Sequence, residues 1–446
     1  MAGPGSTDTS EVRGWSLSAL WPERVLGRRP GLKEVNVVCW GLFVAFLVVP
    51  LLIVSLIRIS HGPGFVRSLH SDFVYFYGDG QIAASSPARL YDYRLQQQTF
   101  TALYPAHEGV YGPSPYPPFV ALFFSLFTHV SFEVAYALWF GVSLALYLLG
   151  VGLTARLVYP GERLKSALVL CFALACYPFL FSTLINAQLS AVAVCAAGTA
   201  IYQERRGKYF VSGLALALLM YKPTLLLLLC PMLILTRRFR TALGFVSGAA
   251  ILLAVSTIFA GAQIWQAYFR LLLNFGRLTG LNGSSRLELR KYVDLSSFLA
   301  AASGTFPSAG KLVFIAVGVI SVITLALLLW RSAKSGQPAQ WLAWAATLTW
   351  TLLLNVYVPI YDSVLAVLAV ILTLGALRDL KWDIASEWIT LLAVTTFAVS
   401  WKTVSFAQQY HVQLLSIMLF LLATTQLWFL HRAIRQGKAA AHSLAA

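Results

Sequence analysis

A chain of 446 residues that is 58% hydrophobic and only 11% charged is too apolar for a soluble domain, where the averages are roughly 45–50% apolar and about 25% charged. Its formal charge of +16 raises nucleic acid as a partner. The Lys and Arg, however, lie mostly in short clusters between apolar blocks, which is the pattern left by orientation in a membrane and argues against nucleic acid. The blocks run to about 15 to 24 residues, near the ~20 that cross a hydrocarbon core of about 30 Å. The fold class expected is therefore an all-α polytopic membrane protein with about twelve transmembrane helices.

Arg13, Arg24, Arg28, Arg29 and Lys33 precede the first expected span, 36 to 57, which puts the tail 1 to 35 in the cytoplasm. No small-residue cleavage site follows that span, so it reads as a retained anchor. Residues 58 to 116 then form a large external loop carrying short surface helices, with "SDFVYFYGDG" at 71 to 80, "LYDYRLQQQTF" at 90 to 100 and "YGPSPYPPF" at 111 to 119. The block "PPFVALFFSLFTHV" is short for a span and reads as a segment dipping into the outer leaflet. Spans follow at 134 to 157, 167 to 184 and 188 to 203, leaving the turn "INAQLS" outside and the charged turn "QERRGK" inside.

Residues 209 to 236 are bounded by Arg205, Arg206 and Lys208 at one end and by Arg237, Arg238 and Arg240 at the other. Both ends want the cytoplasm, so the segment must go out and come back. "YKP" at 221 to 223 marks the reversal, because proline disfavours helix at the residue before it, and Lys222 falls near the outer tip. A span at 241 to 260 leads to a second external loop, 262 to 310, and 311 to 330 returns. Four more spans are expected near 340 to 358, 363 to 377, 386 to 400 and 411 to 430. The membrane domain is thus 36 to 430, followed by a cytoplasmic tail at 431 to 446.

This topology gathers polar residues at the outer face: Asp72, Asp79, Asn186, Gln188, Lys222, Asp362 after Tyr361, and the loop cations Arg270, Arg277, Arg286, Arg290 and Lys291. Polar groups at membrane depth are costly and are functional candidates for that reason. Cys39, Cys171, Cys176, Cys195 and Cys230 all fall in apolar blocks and read as small buried hydrophobes. The seven histidines have no ligand spacing, so no metal site is expected.

"DFVYFYGDGQ", "LYD" at 90 to 92, "YPPF" at 116 to 119, "NAQLS" at 186 to 190, "YKPT" at 221 to 224 and "YDSVL" at 361 to 365 resemble, in order and spacing, the landmarks of glycosyltransferase family 87. The resemblance implies a GT-C type membrane enzyme that takes mannose or arabinofuranose from a polyprenyl-phosphate sugar, which serves as a co-substrate, with no further cofactor. It also implies an acidic catalytic base in the first external loop, and Asp72 is the matching position. The basic loop before residue 295 matches no family pattern residue by residue.

The chemistry accounts for these residue types. A base assists the acceptor hydroxyl, and fixed cations such as Lys222, Arg286, Arg290 and Lys291 stabilise the departing lipid phosphate. Phe76, Tyr77 and Tyr116 offer rings to sugar faces at headgroup level. Asn186, Gln188, Tyr361 and Asp362 complete the expected binding set. Each has a plainer reading. Asp72 can cap a helix opening at Phe73, Asp79 between two glycines can be a turn residue, and Lys222 can snorkel to the interface. The aromatics can form an interfacial belt, Arg286, Arg290 and Lys291 can touch lipid headgroups, Asn186 and Gln188 can satisfy a helix end, and Asp362 can cap a span. The function expected is transfer of a sugar to a glycolipid or glycan acceptor at the outer face of a bacterial-type plasma membrane. The alternative is a polytopic transporter or a flippase for lipids or lipid-linked sugars, which would show internal repeats and polar groups at the midplane. Neither feature is seen in the sequence.

Overall fold

The computed structural model of the chain describes residues 72–104, 112–281, 289–302, 309–355 and 358–443. The tail 1 to 35, the expected first span at 36 to 57, the start of the first loop and Arg286 lie outside the described residues. Among those residues the chain is helical with no strand, and the one isolated bridge joins Tyr292 to Pro359.

Three short helices come first: α1 (Phe73–Ser85), α2 (Tyr93–Leu103) and α3 (Pro118–Ser125). Asp92 starts α2, its Oδ1 accepting the amides of Arg94 and Leu95 at 3.1 and 3.3 Å, as an acidic N-cap does. Gly78 and Gly80 let α2 and α3 close onto α1. A Cβ at Gly78 would stand 2.7 Å from the Phe100 ring, and one at Gly80 would stand 2.7 Å from the Phe124 backbone. Phe73, Phe76, Phe100 and Phe124 are fully buried around these contacts. The glycines are therefore packing residues inside a helix. Asp79 between them is mid-helix and buried, which corrects the turn expected there.

Next, α4 (Phe132–Val158) crosses the molecule, and α5 (Arg163–Ala175) continues through a bend of 59° into the π-helical segment Pro178–Ile185. Pro178 lacks the N–H that a straight helix needs. The single span expected at 167 to 184 is thus a bent pair. The next elements are α6 (Ser190–Arg205), α7 (Tyr209–Ala217) and α8 (Leu229–Leu235). Between α7 and α8 the chain makes two 3₁₀ turns, Leu218–Tyr221 and Pro223–Leu226, and Lys222 sits at the break. The remainder comprises α9 (Phe239–Ala260), α10 (Gln263–Leu281), α11 (Leu295–Ala302), α12 (Ala309–Ser332) and α13 (Gln337–Leu353), followed by a 3₁₀ turn (Ile360–Val364). Then come α14 (Leu365–Asp379), α15 (Asp383–Ser400), α16 (Thr403–Tyr410) and α17 (Leu414–Ser443).

Among the described residues, six helices are long and apolar enough to cross a membrane, or seven if the bent pair counts as one span. The count of about twelve is not reached by them: α6 and α13 have 16 and 17 residues, and α7 and α8 are shorter. The segment expected as the second external loop, 262 to 310, contains α10 and α11. In α10, Ile264, Tyr268 and Leu271 are buried at helical spacing while Arg270 faces away.

Charged turns tie one end of the bundle together. Arg238 Nε pairs with Glu204 Oε1 at 3.0 Å, and its Nη2 donates to Gln340 Oε1 at 2.6 Å. Arg378 pairs with Glu162 at 3.7 Å. Gly244 of α9 would clash with the Phe210 backbone of α7 if it carried a Cβ, and Gly248 would clash with Ala217. These contacts advance together along both helices, so α7 and α9 leave this end in parallel. The intervening α8 must return to it, and the out-and-back path inferred from the arginines is present. At the other end, Ala260 of α9 and Ile264 of α10 pack against Ile82, Leu90 and Ala121 of the first segment. Asp72, Gln188, Lys222, Lys291 and Asp362, singled out in the sequence, lie at this second end.

Candidate active site

Asp72 sits immediately before α1 with a helical backbone (φ −58°, ψ 0°), and its carboxylate makes no cap hydrogen bond. Oδ2 instead accepts from the amide of Gln188. The capping reading fails on this point: the side chain leaves its own helix to meet a turn more than a hundred residues away. Burial raises the Asp72 carboxyl from 3.8 to about 6, opposed by the Gln188 hydrogen bond and by the charge of nearby Lys291. No hydrogen bond to Oδ1 is found among the described residues.

Gln188 is held rigidly. Its turn, 186 to 189, follows the π-helical segment, and Ala187 adopts φ +57°. Trp139 Nε1 donates to the Ala187 carbonyl at 2.9 Å, Tyr136 Oη to the Ile185 carbonyl at 2.6 Å, and the Gln188 amide N–H to the Thr183 carbonyl at 2.8 Å. Two residues on, Ser190 Oγ donates to Asp362 Oδ1 at 2.7 Å. A single turn therefore positions both carboxylates.

Asp362 is completely buried, and its Oδ2 pairs with Lys222 Nζ, whose side chain is 19% exposed. The ammonium also lies 5.2 Å from the Tyr361 ring centroid. Lys222 therefore does not snorkel to a lipid surface, and Asp362 uses its oxygens on Lys222 and Ser190, not on helix N–H groups. An ammonium carries three N–H donors; one is engaged by Asp362, and the side chain keeps some exposure. The break that frees Lys222 is pinned by Asn355, whose Nδ2 donates to the Thr224 carbonyl at 2.8 Å.

Tyr116 lies between the two acids. Its hydroxyl donates to Gln188 Oε1 at 3.4 Å, and Tyr361 is beside it. Burial, then the negative fields of Asp72 and Asp362, hold that hydroxyl well above its ordinary range, so it stays protonated as a donor. From the second loop, the 3₁₀ turn Leu289–Lys291 brings exposed Lys291 near Asp72. Arg290 is half-buried, and its carbonyl accepts from Gln413 Nε2 at 2.6 Å. Asp294 anchors this turn: it accepts the Ser297 amide at 2.8 Å, Ser297 Oγ at 2.9 Å and the Val358 amide at 2.8 Å.

The structure thus brings together Asp72, Tyr116, Gln188, Lys222, Lys291, Tyr361 and Asp362. Arg286 lies outside the described residues. Phe76 and Tyr77 do not present open faces. Phe76 is buried between Tyr116 and Phe124, at 4.9 and 5.0 Å between centroids, and so backs Tyr116 from behind. Tyr77 donates to the Val130 carbonyl at 2.8 Å and packs on Phe132. The sugar platform expected of these two rings is corrected accordingly: a buried ring cannot stack on a sugar. Asn186 is half-buried on the Gln188 turn, and no hydrogen bond from its side chain is found among the described residues. Asp79 accepts from Gln96 Nε2 at 3.5 Å, and Gln96 Oε1 in turn accepts the Ser114 amide at 3.3 Å. This network supports the extended segment leading to Tyr116. Burial raises Asp79 from 3.8 to about 7.

Ser190, Asp294 and Asn355 were not singled out as site residues in the sequence. Ser190 lies within the quoted "NAQLS". Asp294 heads "DLSS", the pattern of an acid before a helix start, and was read as part of a loop. Asn355 left no signal. Among the described residues, no three His, Cys, Asp or Glu side chains gather as a metal site.

Residues 115–358, more than half of the chain, match the family model described as glycosyltransferase family 87. The match includes Tyr116, Gln188 and Lys222, while Asp72 and Asp362 lie outside it. No curated protein and no solved structure matches the chain.

Proposed function

The chain belongs to glycosyltransferase family 87, and we propose that it is a membrane enzyme transferring a sugar from a polyprenyl-phosphate donor to a hydroxyl of a lipid or glycan acceptor, with Asp72 as general base. Mannose is the first sugar to test. The proposal extends to a GT-C type architecture, a plasma-membrane location with both termini cytoplasmic, and a site on the outer face.

One observation carries the reading: an acid that could cap its own helix is instead held by Gln188, across Tyr116 from a buried acid paired with a lysine. In the proposed step, the acceptor hydroxyl attacks the anomeric carbon as Asp72 Oδ1 takes its proton. The bond from that carbon to the phosphate oxygen breaks, and the polyprenyl phosphate leaves with the electron pair. A carboxyl near 6 is ionised at neutral pH yet basic enough to accept a proton, the balance a general base needs. Lys222, oriented by Asp362 and Tyr361, meets the phosphate, and Lys291 adds positive charge near Asp72. An apolar groove of about 270 Å³ begins at Ser363 and Val364, next to Asp362, and runs between α5, α14, α15 and α17. Its lining suits a hydrocarbon chain.

The test is a turnover assay in membranes containing the protein, with synthetic polyprenyl-phosphate sugars offered one at a time and the product identified. Transfer from at least one such donor is expected. Transfer only from nucleotide sugars would remove the lipid donor from the proposal.

A further inference from the structure

The end of the bundle opposite Asp72 holds a cavity of about 700 Å³ where α6, α7, α9 and α13 meet. Arg238 is the buried arginine of its lining. Its side chain is 7% exposed, paired with Glu204 at 3.0 Å, bonded to Gln340 at 2.6 Å and set 5.2 Å from the Trp344 ring centroid. Glu204 Oε1 also accepts the Trp344 indole N–H at 3.2 Å. One carboxylate therefore balances one guanidinium. Arg205, Arg237 and Arg240 line the same cavity, are exposed, and make no salt bridge among the described residues.

Orientation in the membrane would be served by these charges in any solvated turn. It does not require a walled cavity, a buried arginine fixed from three sides, or Arg237 at φ +59°, a backbone conformation uncommon outside glycine. The surface beside the mouth is apolar and outward-facing: Phe239 is 63% exposed, Leu243 61% and Tyr209 42%. Helix α9, long and apolar enough to cross a membrane, begins at this cavity. Three uncompensated arginines thus stand at the membrane boundary, next to a surface suited to acyl chains.

We infer that this cavity binds the phosphate headgroup of an anionic phospholipid. Guanidinium forks match phosphate oxygens, the inner leaflet supplies anionic headgroups, and the adjoining apolar surface takes the chains. Tyr209 and Thr236, the two feet of the α7–α8 pair, both line the cavity. An occupied cavity braces the base of the element whose tip carries Lys222.

The test uses the purified full-length protein, stripped of lipid in detergent, incubated with phosphatidylglycerol or phosphatidylcholine and weighed by native mass spectrometry. Wild type should retain phosphatidylglycerol about fivefold or more over phosphatidylcholine. The double variant Arg237→Gln/Arg240→Gln should lose that preference. Arg163→Gln/Arg435→Gln removes the same charge from the same end and should keep it. All four residues are exposed, so folding should survive, and matched melting curves check this. The inference is overturned if wild type shows no preference, if both double variants lose it equally, or if the cavity doublet keeps it. Displacement by inorganic phosphate irrespective of acyl chains would assign the cavity to a soluble phosphate compound and overturn the lipid assignment.

Discussion

Two carboxylates in the first segment illustrate how position decides role. Asp72, just before α1 and held by Gln188, is raised to about 6, while Asp79, seven residues on and inside α1, is raised to about 7. Asp79 is 5% exposed, and burial dominates its shift, so its charge is a cost to the folded state. Between about pH 4 and 7 the folded chain keeps a proton that the unfolded chain releases, so stability falls as pH rises through that window. The shift of roughly three units sets an upper bound of about 4 kcal/mol. Asp79→Asn should therefore melt higher than wild type at pH 8 and close to it at pH 4, with transfer only mildly reduced. A variant that melts lower at pH 8 would show that the ionised form is the one the fold requires. In the sequence, the two acids were separable only by their neighbours. "GDG" suggested a turn because glycine so often supplies one, and the close approach of Phe100 and Phe124 that calls for both glycines is a tertiary fact.

At the level of elements, the site depends on breaks in helices. Pro223 made the break at Lys222 legible, since proline excludes helix just before it and flanking arginines required a reversal. The bend at Pro178 and the helix α10 were equally encoded, but each was masked. The run from 167 to 184 is apolar on both sides of its proline, and the basic residues of the second loop hid the spacing of Ile264, Tyr268 and Leu271. The partnership of Lys222 with Asp362 had no local signal, because 140 residues separate them. Removing one member of a buried pair leaves the other uncompensated, at about 3–5 kcal/mol. Lys222→Met alone should therefore lower both stability and transfer. Lys222→Met/Asp362→Asn should regain thermal stability, with transfer still down by about 10²-fold because the phosphate has lost its cation. Recovery of transfer together with stability would make Lys222 a structural cation only.

Across the whole molecule, the bundle separates two kinds of charge. One end carries the arginine-rich turns joined through Glu204, Arg238 and Gln340, and the other carries Asp72, Lys222, Lys291 and Asp362. By the charge rule the first end is expected in the cytoplasm. In a cysteine-free background, Ser86→Cys should react with an impermeant thiol reagent in intact cells and Lys334→Cys should not; the opposite labelling would turn the site inward.

The central claim is that Asp72 accepts the acceptor's proton, and it is tested most directly by single-turnover transfer from a bound polyprenyl-phosphate sugar, wild type against Asp72→Asn, from pH 5 to pH 8. Wild-type rate should rise through about pH 6 as the carboxyl ionises and then level off. Asp72→Asn keeps the shape and one hydrogen-bonding oxygen for Gln188 but cannot take the proton. It should bind donor normally and transfer about 10²-fold or more slowly, with that rise abolished. Near-normal transfer by Asp72→Asn with the same pH profile would contradict the assignment.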